Sequence, residues 1–187
     1  MKILATFLLL GSLALAQSGS NPQLATRPGN PNSSEQFIAK EVRHELVMLP
    51  YYSIFDDLEY QVKGDTVILS GATVTPTLKS DAENVVKKVE GVKNVVNNIK
   101  VLPLSPNDDE IRRRVARAIF GTDGLYRYSM SAVPPVHIIV ENGHVTLKGI
   151  VDSQGDKTLA NIAANQVPGV FSVDNELQVA GTNVAKK

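Results

Sequence analysis

Apolar residues recur along this chain with two different periods, and the periods alternate. Ile38, Val42, Leu46 and Leu49 are spaced to line one face of a helix. Val62, Val67 and Leu69 then alternate with other residues around Gly64-Asp65, as two strands joined by a tight turn would. Thr75-Pro76 opens a second helical stretch, with Ala82, Val85, Val86 and Val89 along one side. Gly91 stands where a left-handed residue would end that helix. Val95-x-Asn97-x-Ile99-x-Val101 closes the series as a strand. The predicted order is helix, strand, strand, helix, strand.

The same order then follows again. Shifted by 78 residues, 62–101 lies on 140–179 without a gap, with the same residue at twelve of forty positions. Upstream the better shift is 73, which sets Ile38 on Ile111, Val42 on Val115 and Leu46 on Ile119. The second copy therefore carries five more residues just after its first helix. Duplication is the strongest signal in the chain. In copy two, Asn107 is read as a helix cap with Glu110 as its box partner, followed by a stripe of Ile111, Val115, Ala118 and Ile119. Asn142-Gly143 joins two alternating runs so that Val140 faces Val145 and Ile138 faces Leu147. Ser153 is the second cap, with Ala160, Ala163, Ala164 and Val167 behind it and Gly169 at the end.

The fold class that follows is α+β: two tandem αββαβ sandwich domains, 35–104 and 107–181, each a three-stranded mixed sheet with two helices on one face. Asn97 and Asn175 fall at inward positions of the last strands and are expected to bond a loop backbone. Units of roughly 70 residues are only marginally stable alone, so the two copies are expected to dock together.

The N-terminus adds a compartment. Lys2, the apolar run 3–10, and Ala14-Leu15-Ala16 read as a signal peptide cleaved after Ala16. The run is too short to span a bilayer. Residues 17–34, rich in Ser, Asn, Pro and Gly, read as a flexible leader, and 182–187 as a tail. The protein is thus expected to be exported, in the periplasm or secreted. It has no cysteine, so disulfides and thiolate chemistry are excluded. Its formal net charge is zero, which argues against a general nucleic-acid binder.

The hairpin blocks 64–71 (GDTVILSG) and 142–149 (NGHVTLKG) resemble the BON domain of bacterial osmotically induced and nodulation proteins. So do the closing blocks Gly91-Val92-x-x-Val95-x-Asn97-x-Ile99-x-Val101 and Gly169-Val170-x-x-Val173-x-Asn175-x-Leu177-x-Val179. A signal peptide before two such modules resembles the osmotically inducible periplasmic group. The resemblance implies an αββαβ sandwich, an envelope location and an association with phospholipid. It implies no catalytic residues.

The residues themselves offer little catalytic chemistry. His44, His137 and His144 have no partners at metal-ligand spacing, and His137 and His144 are assigned to the solvent face of their hairpin. No nucleophile motif or phosphate-cradling loop is present. Asp56-Asp57 and Asp108-Asp109 are adjacent acids, the second pair suited to a helix N-terminus. The protein is expected to be no enzyme, with no cofactor, metal or small-molecule substrate.

Candidate contact residues lie on the first helix of copy two and the loop after it. Residues 110–120 carry Arg112, Arg113, Arg114 and Arg117 against Glu110, a balance of +3, where 36–49 of copy one sum to zero. Arg113, Arg117 and Phe120 fall opposite the core stripe. Arginine with an outward Phe suits an anionic membrane surface. A solvated charged face with Phe120 packed under the next loop fits the same pattern and is preferred, since Asp108 and Asp109 dilute the basic field. Seven of the ten Phe and Tyr residues, Tyr126 and Tyr128 among them, lie between first helix and first strand. They suit an interface with a partner, or plugs that close each small core and seal one copy on the other; the plugs are preferred. The expected function is a non-catalytic envelope module that binds an anionic phospholipid surface or envelope proteins. The alternative is a structural adaptor or cell-wall-polymer module without lipid affinity.

Overall fold

The structure, a computed structural model, describes residues 31–131 and 134–181, with side chains from Ser34. The expected signal peptide, most of the leader and the tail lie outside them. In copy one, helix α1 (Pro31–Val47) precedes strands β1 (Asp57–Lys63) and β2 (Thr66–Thr73), helix α2 (Pro76–Val86), β3 (Asn94–Asn97) and β4 (Lys100–Val101). Copy two has α3 (Pro106–Phe120), a 3₁₀ turn (Tyr126–Ser129), β5 (Val136–Glu141), β6 (His144–Val151), α4 (Gln154–Asn165), β7 (Ser172–Asn175) and β8 (Gln178–Val179). Helix α1 starts inside the stretch expected as leader, so residues 31–34 belong to the first unit; Pro31 at the helix start is pre-set in φ.

Each unit is the predicted αββαβ layer pair. β1 runs antiparallel to β2, and β3 and β4 run parallel to β2 on its other side. The register is the one the alternation required: Val62 faces Val67, Val140 faces Val145, and Ile138 faces Leu147. The third strand is broken into two pieces by a side chain rather than by a turn. Asn97 donates its amide to the Lys79 carbonyl (2.9 Å) and accepts from the Ile99 amide (3.2 Å). Asn175 does the same with Lys157 (2.8 Å) and Leu177 (3.2 Å). Both asparagines are structural as expected: each bonds the backbone of the link between the two strand pieces, and each also holds a helix carbonyl.

Two cores result. One gathers Ile38, Val42, Leu46, Val67, Leu69, Leu78, Ala82, Val86 and Ile99; the other gathers Ile111, Val115, Ile119, Val145, Leu147, Ala160, Ala164 and Leu177, with the buried Asp156 at the position of Leu78. Burying such side chains contributes roughly 1.5–3 kcal/mol each, the main drive for both units.

The copies dock through the side of copy two that the sequence pattern leaves polar. β5 is buried on both faces because copy one covers it. The Ile138 amide donates to the Ile54 carbonyl (2.7 Å), and Ile54 and Phe55 pack into the second core. His137, expected at the solvent face, is 9% exposed and stacks on Tyr52 with ring centroids 5.5 Å apart. His144 stays exposed, bonded to Ser172 (2.7 Å).

Candidate functional site

Helix α3 is set from its first turn. Its cap is Ser105, whose hydroxyl accepts from the Asp108 amide (3.2 Å), with Pro106 in the first turn. The helix therefore starts before Asn107, the residue read as its cap. That frees Asp108 to reach the hairpin: its carboxylate accepts from the amides of Asn142 (2.9 Å) and Gly143 (2.8 Å). In copy one Glu35 does the same for Gly64 (2.6 Å). Asp56, of the other acid pair, is fully buried and accepts from Thr73 (2.8 Å), Val74 (2.9 Å) and Ser53 (2.7 Å). Both acids thus act as structural clamps.

The arginines of α3 divide. Arg112 is a correction: it is 3% exposed, paired with Asp109, and donates to the Val140 carbonyl (2.7 Å). It is adjacent to the core residue Ile111, and the hairpin folds over it, so it is closed to any surface. Arg113 (2.9 Å) and Arg114 (2.8 Å) are exposed and share Glu110. Their bonds hold the Glu110 carboxyl below its usual range. Arg117 is exposed and has no ion-pair partner among the described residues. Three arginines against Glu110 leave this face with a net charge of +2.

Two of the aromatic candidates are also corrected. Phe120 is half-buried and packs against the second core. Tyr128 is 6% exposed; its hydroxyl donates to Asp156 (3.0 Å) and accepts from the Asp152 amide (2.8 Å). Burial pushes the phenol up, and the Asp156 carboxylate adds to that. Arg127, which the sequence reading passed over, bonds Asp156 (2.7 Å) and lies 4.6 Å over the Tyr128 ring. Tyr126 remains exposed. Tyr52, Tyr60, Phe55, Phe120 and Tyr128 are therefore the plugs and seals that the preferred reading described.

What the surface adds is a groove between α3 and α4. It encloses about 450 Å³ and is lined by Arg114, Arg117, Ala118, Ala163, Val167 and Pro168, among others. Beside it on α4 stand Leu159 and Ile162, apolar yet exposed. These two were missed. The repeat carried the signal, because the matching residues of copy one are Asp81 and Asn84. The site is thus an apolar trough with two guanidinium groups, suited to holding an anionic group with hydrocarbon attached. Among the described residues no cluster of His, Asp or Glu could hold a metal ion, and no helix is long and apolar enough to cross a membrane.

Fold and surface together define a tandem α+β module with a basic, apolar-lined helix pair exposed on its second unit. The chain belongs to the BON domain family, whose model matches twice, at residues 34–103 and 107–181. The family is a non-catalytic one associated with phospholipid binding. No curated protein matches the chain. Among solved structures it is similar to the C-terminal domain of CdsD, the structural protein of the type III secretion system of Chlamydia trachomatis. The identity is 12%, over 75% of this chain and 96% of that one, with a TM-score of 0.28. A second CdsD structure matches at 15% identity over 77% and 93%, with a TM-score of 0.27.

Proposed function

We propose that the protein is an exported, non-catalytic module of the cell envelope that docks on anionic phospholipid surfaces through the α3–α4 face of its second unit. One observation carries this reading: Arg114 and Arg117 line an apolar groove flanked by exposed Leu159 and Ile162. The cations meet headgroup phosphates, and the apolar side chains enter the acyl boundary. Each basic side chain near an anionic surface is worth about 1 kcal/mol and acts within a Debye length. Family membership supports the ligand class, and the signal-peptide pattern supports export.

Vesicle co-sedimentation tests it. The protein should pellet with phosphatidylglycerol vesicles, much less with phosphatidylcholine, and less as salt rises. Arg113→Glu with Arg117→Glu should abolish binding and leave the circular dichroism unchanged, since both side chains are exposed. Leu159→Ser with Ile162→Ser should weaken binding at every ionic strength. Equal pelleting of wild type and the arginine variant, or none of either, would instead favour an adaptor without lipid affinity.

A further inference from the structure

The two units carry the same groove with opposite charge. In copy one the cleft between α1 and α2 encloses about 340 Å³ and is lined by Phe37, Glu41, Glu45, Val85, Lys88 and Glu90, among others. Position by position it is the counterpart of the α3–α4 groove: Glu41 stands where Arg114 does, Val85 where Ala163 does, and Glu90 where Pro168 does. Three carboxylates against Lys88 give the first groove −2; Arg114 and Arg117 give the second +2. None of Glu41, Glu45 and Glu90 has an ion-pair partner among the described residues. Both faces also show apolar side chains to solvent. Phe37 and Met48 are 47% and 67% exposed beside the first groove, as Leu159 and Ile162 are beside the second.

We infer that the α1–α2 face of one molecule docks on the α3–α4 face of a second copy of this chain. Unpaired carboxylates on a half-apolar helix face are matched by an unpaired guanidinium on a face of the same build. Two helices laid over two helices form a four-helix layer, an ordinary packing for amphipathic pairs. Faces of like charge repel, so unit one meets unit two and not its own kind. The contact is heterologous unless both pairs of faces meet at once, which closes a dimer. Because it uses the α3–α4 face, assembly and membrane docking exclude each other there. The inference does not rest on the lipid reading, since the test contains no lipid.

The test is analytical ultracentrifugation of the whole exported chain at low and high salt. Wild type should show a mass that rises with concentration at low salt and returns to monomer at high salt. Glu41→Arg with Glu45→Arg makes both faces basic; Arg114→Glu with Arg117→Glu makes both acidic. Each double variant alone should associate at least about tenfold more weakly. An equimolar mixture of the two should associate, and the chain carrying all four substitutions should recover wild-type behaviour, with circular dichroism showing each folded. Wild type monomeric at every concentration and salt would overturn the inference. So would double variants that associate like wild type, or a folded four-substitution chain that stays monomeric. A monomeric wild type that still pellets with vesicles would leave only the lipid reading standing.

Discussion

At the scale of single residues, the repeated glycines show how close the backbone runs at one point of each sheet. Gly149 in β6 has φ +113°, and a Cβ there would lie 1.9 Å from the Pro135 carbonyl oxygen. Gly71 repeats this, with φ +100° and the Asp57 carbonyl at 2.1 Å. No side chain fits either site without moving a strand. Gly149→Ala should cost about 3 kcal/mol, combining left-handed strain with displaced backbone. Gly64→Ala, at φ +61° with nothing within 4 Å, should cost only about 1 kcal/mol. Urea unfolding of the two variants checks the difference; equal costs would mean strain alone matters and crowding does not. In the sequence these glycines read as places in an alternating strand. Their identity in both copies was visible, but the reason was not, because it lies in a carbonyl from the neighbouring strand.

At the scale of elements, helix α3 is fixed at one end by an acid that serves another element. Asp108 takes both amides of the Asn142-Gly143 turn, and the Gly143 amide is buried. Asp108→Ala leaves two donors unsatisfied and should cost about 2–3 kcal/mol. Glu35→Ala removes a single exposed bond and should cost clearly less. Thermal melts of both decide the point, and equal losses would deny the clamp. The positions of helices, strands and hairpins were legible because periods of 3.6 and 2 were repeated in two copies. The split among the arginines was not. A helical wheel places Arg112 on the flank of the core stripe, but only the folded hairpin brings the Val140 carbonyl to it. Similarly, Tyr128 reads as one more interfacial aromatic until α4 supplies Asp156. What could have been read, and was not, is the change from Asp81 and Asn84 to Leu159 and Ile162 between the copies.

At the scale of the whole molecule, Lys148 adds an ion-pair bridge between the two units. Lys148 on β6 lies 3.0 Å from Asp57 and 2.8 Å from Glu59 of copy one, and 3.6 Å from Glu176. Burial pulls its ammonium down, but the bonds and charges of Glu59 and Asp57 outweigh this and hold it above the ordinary lysine value. Burial raises the Asp57 carboxyl, and Lys148 only partly offsets that. Both shifts have the same sign, so each contribution is full at pH below the group's ordinary value and fades as pH rises through the folded one. Lys148→Met should therefore cost about 1–3 kcal/mol at pH 7, because Asp57 keeps its charge in a largely closed site without a cation. The gap between wild type and Lys148→Met should narrow above pH of about 10.5, where the unfolded chain loses the ammonium proton that the folded protein still holds. It should narrow again in acid, where Asp57, its carboxyl raised by burial and no longer lowered by Lys148 in the variant, takes up a proton above its ordinary value and no longer needs a partner. Adding Asp57→Asn to Lys148→Met should restore much of the loss at pH 7, since a neutral amide costs less to enclose. Urea unfolding across that pH range measures all four effects. A gap that stays constant with pH, or a double variant no better than Lys148→Met, would mean the units are held by Ile54, Phe55 and the Tyr52–His137 stack instead.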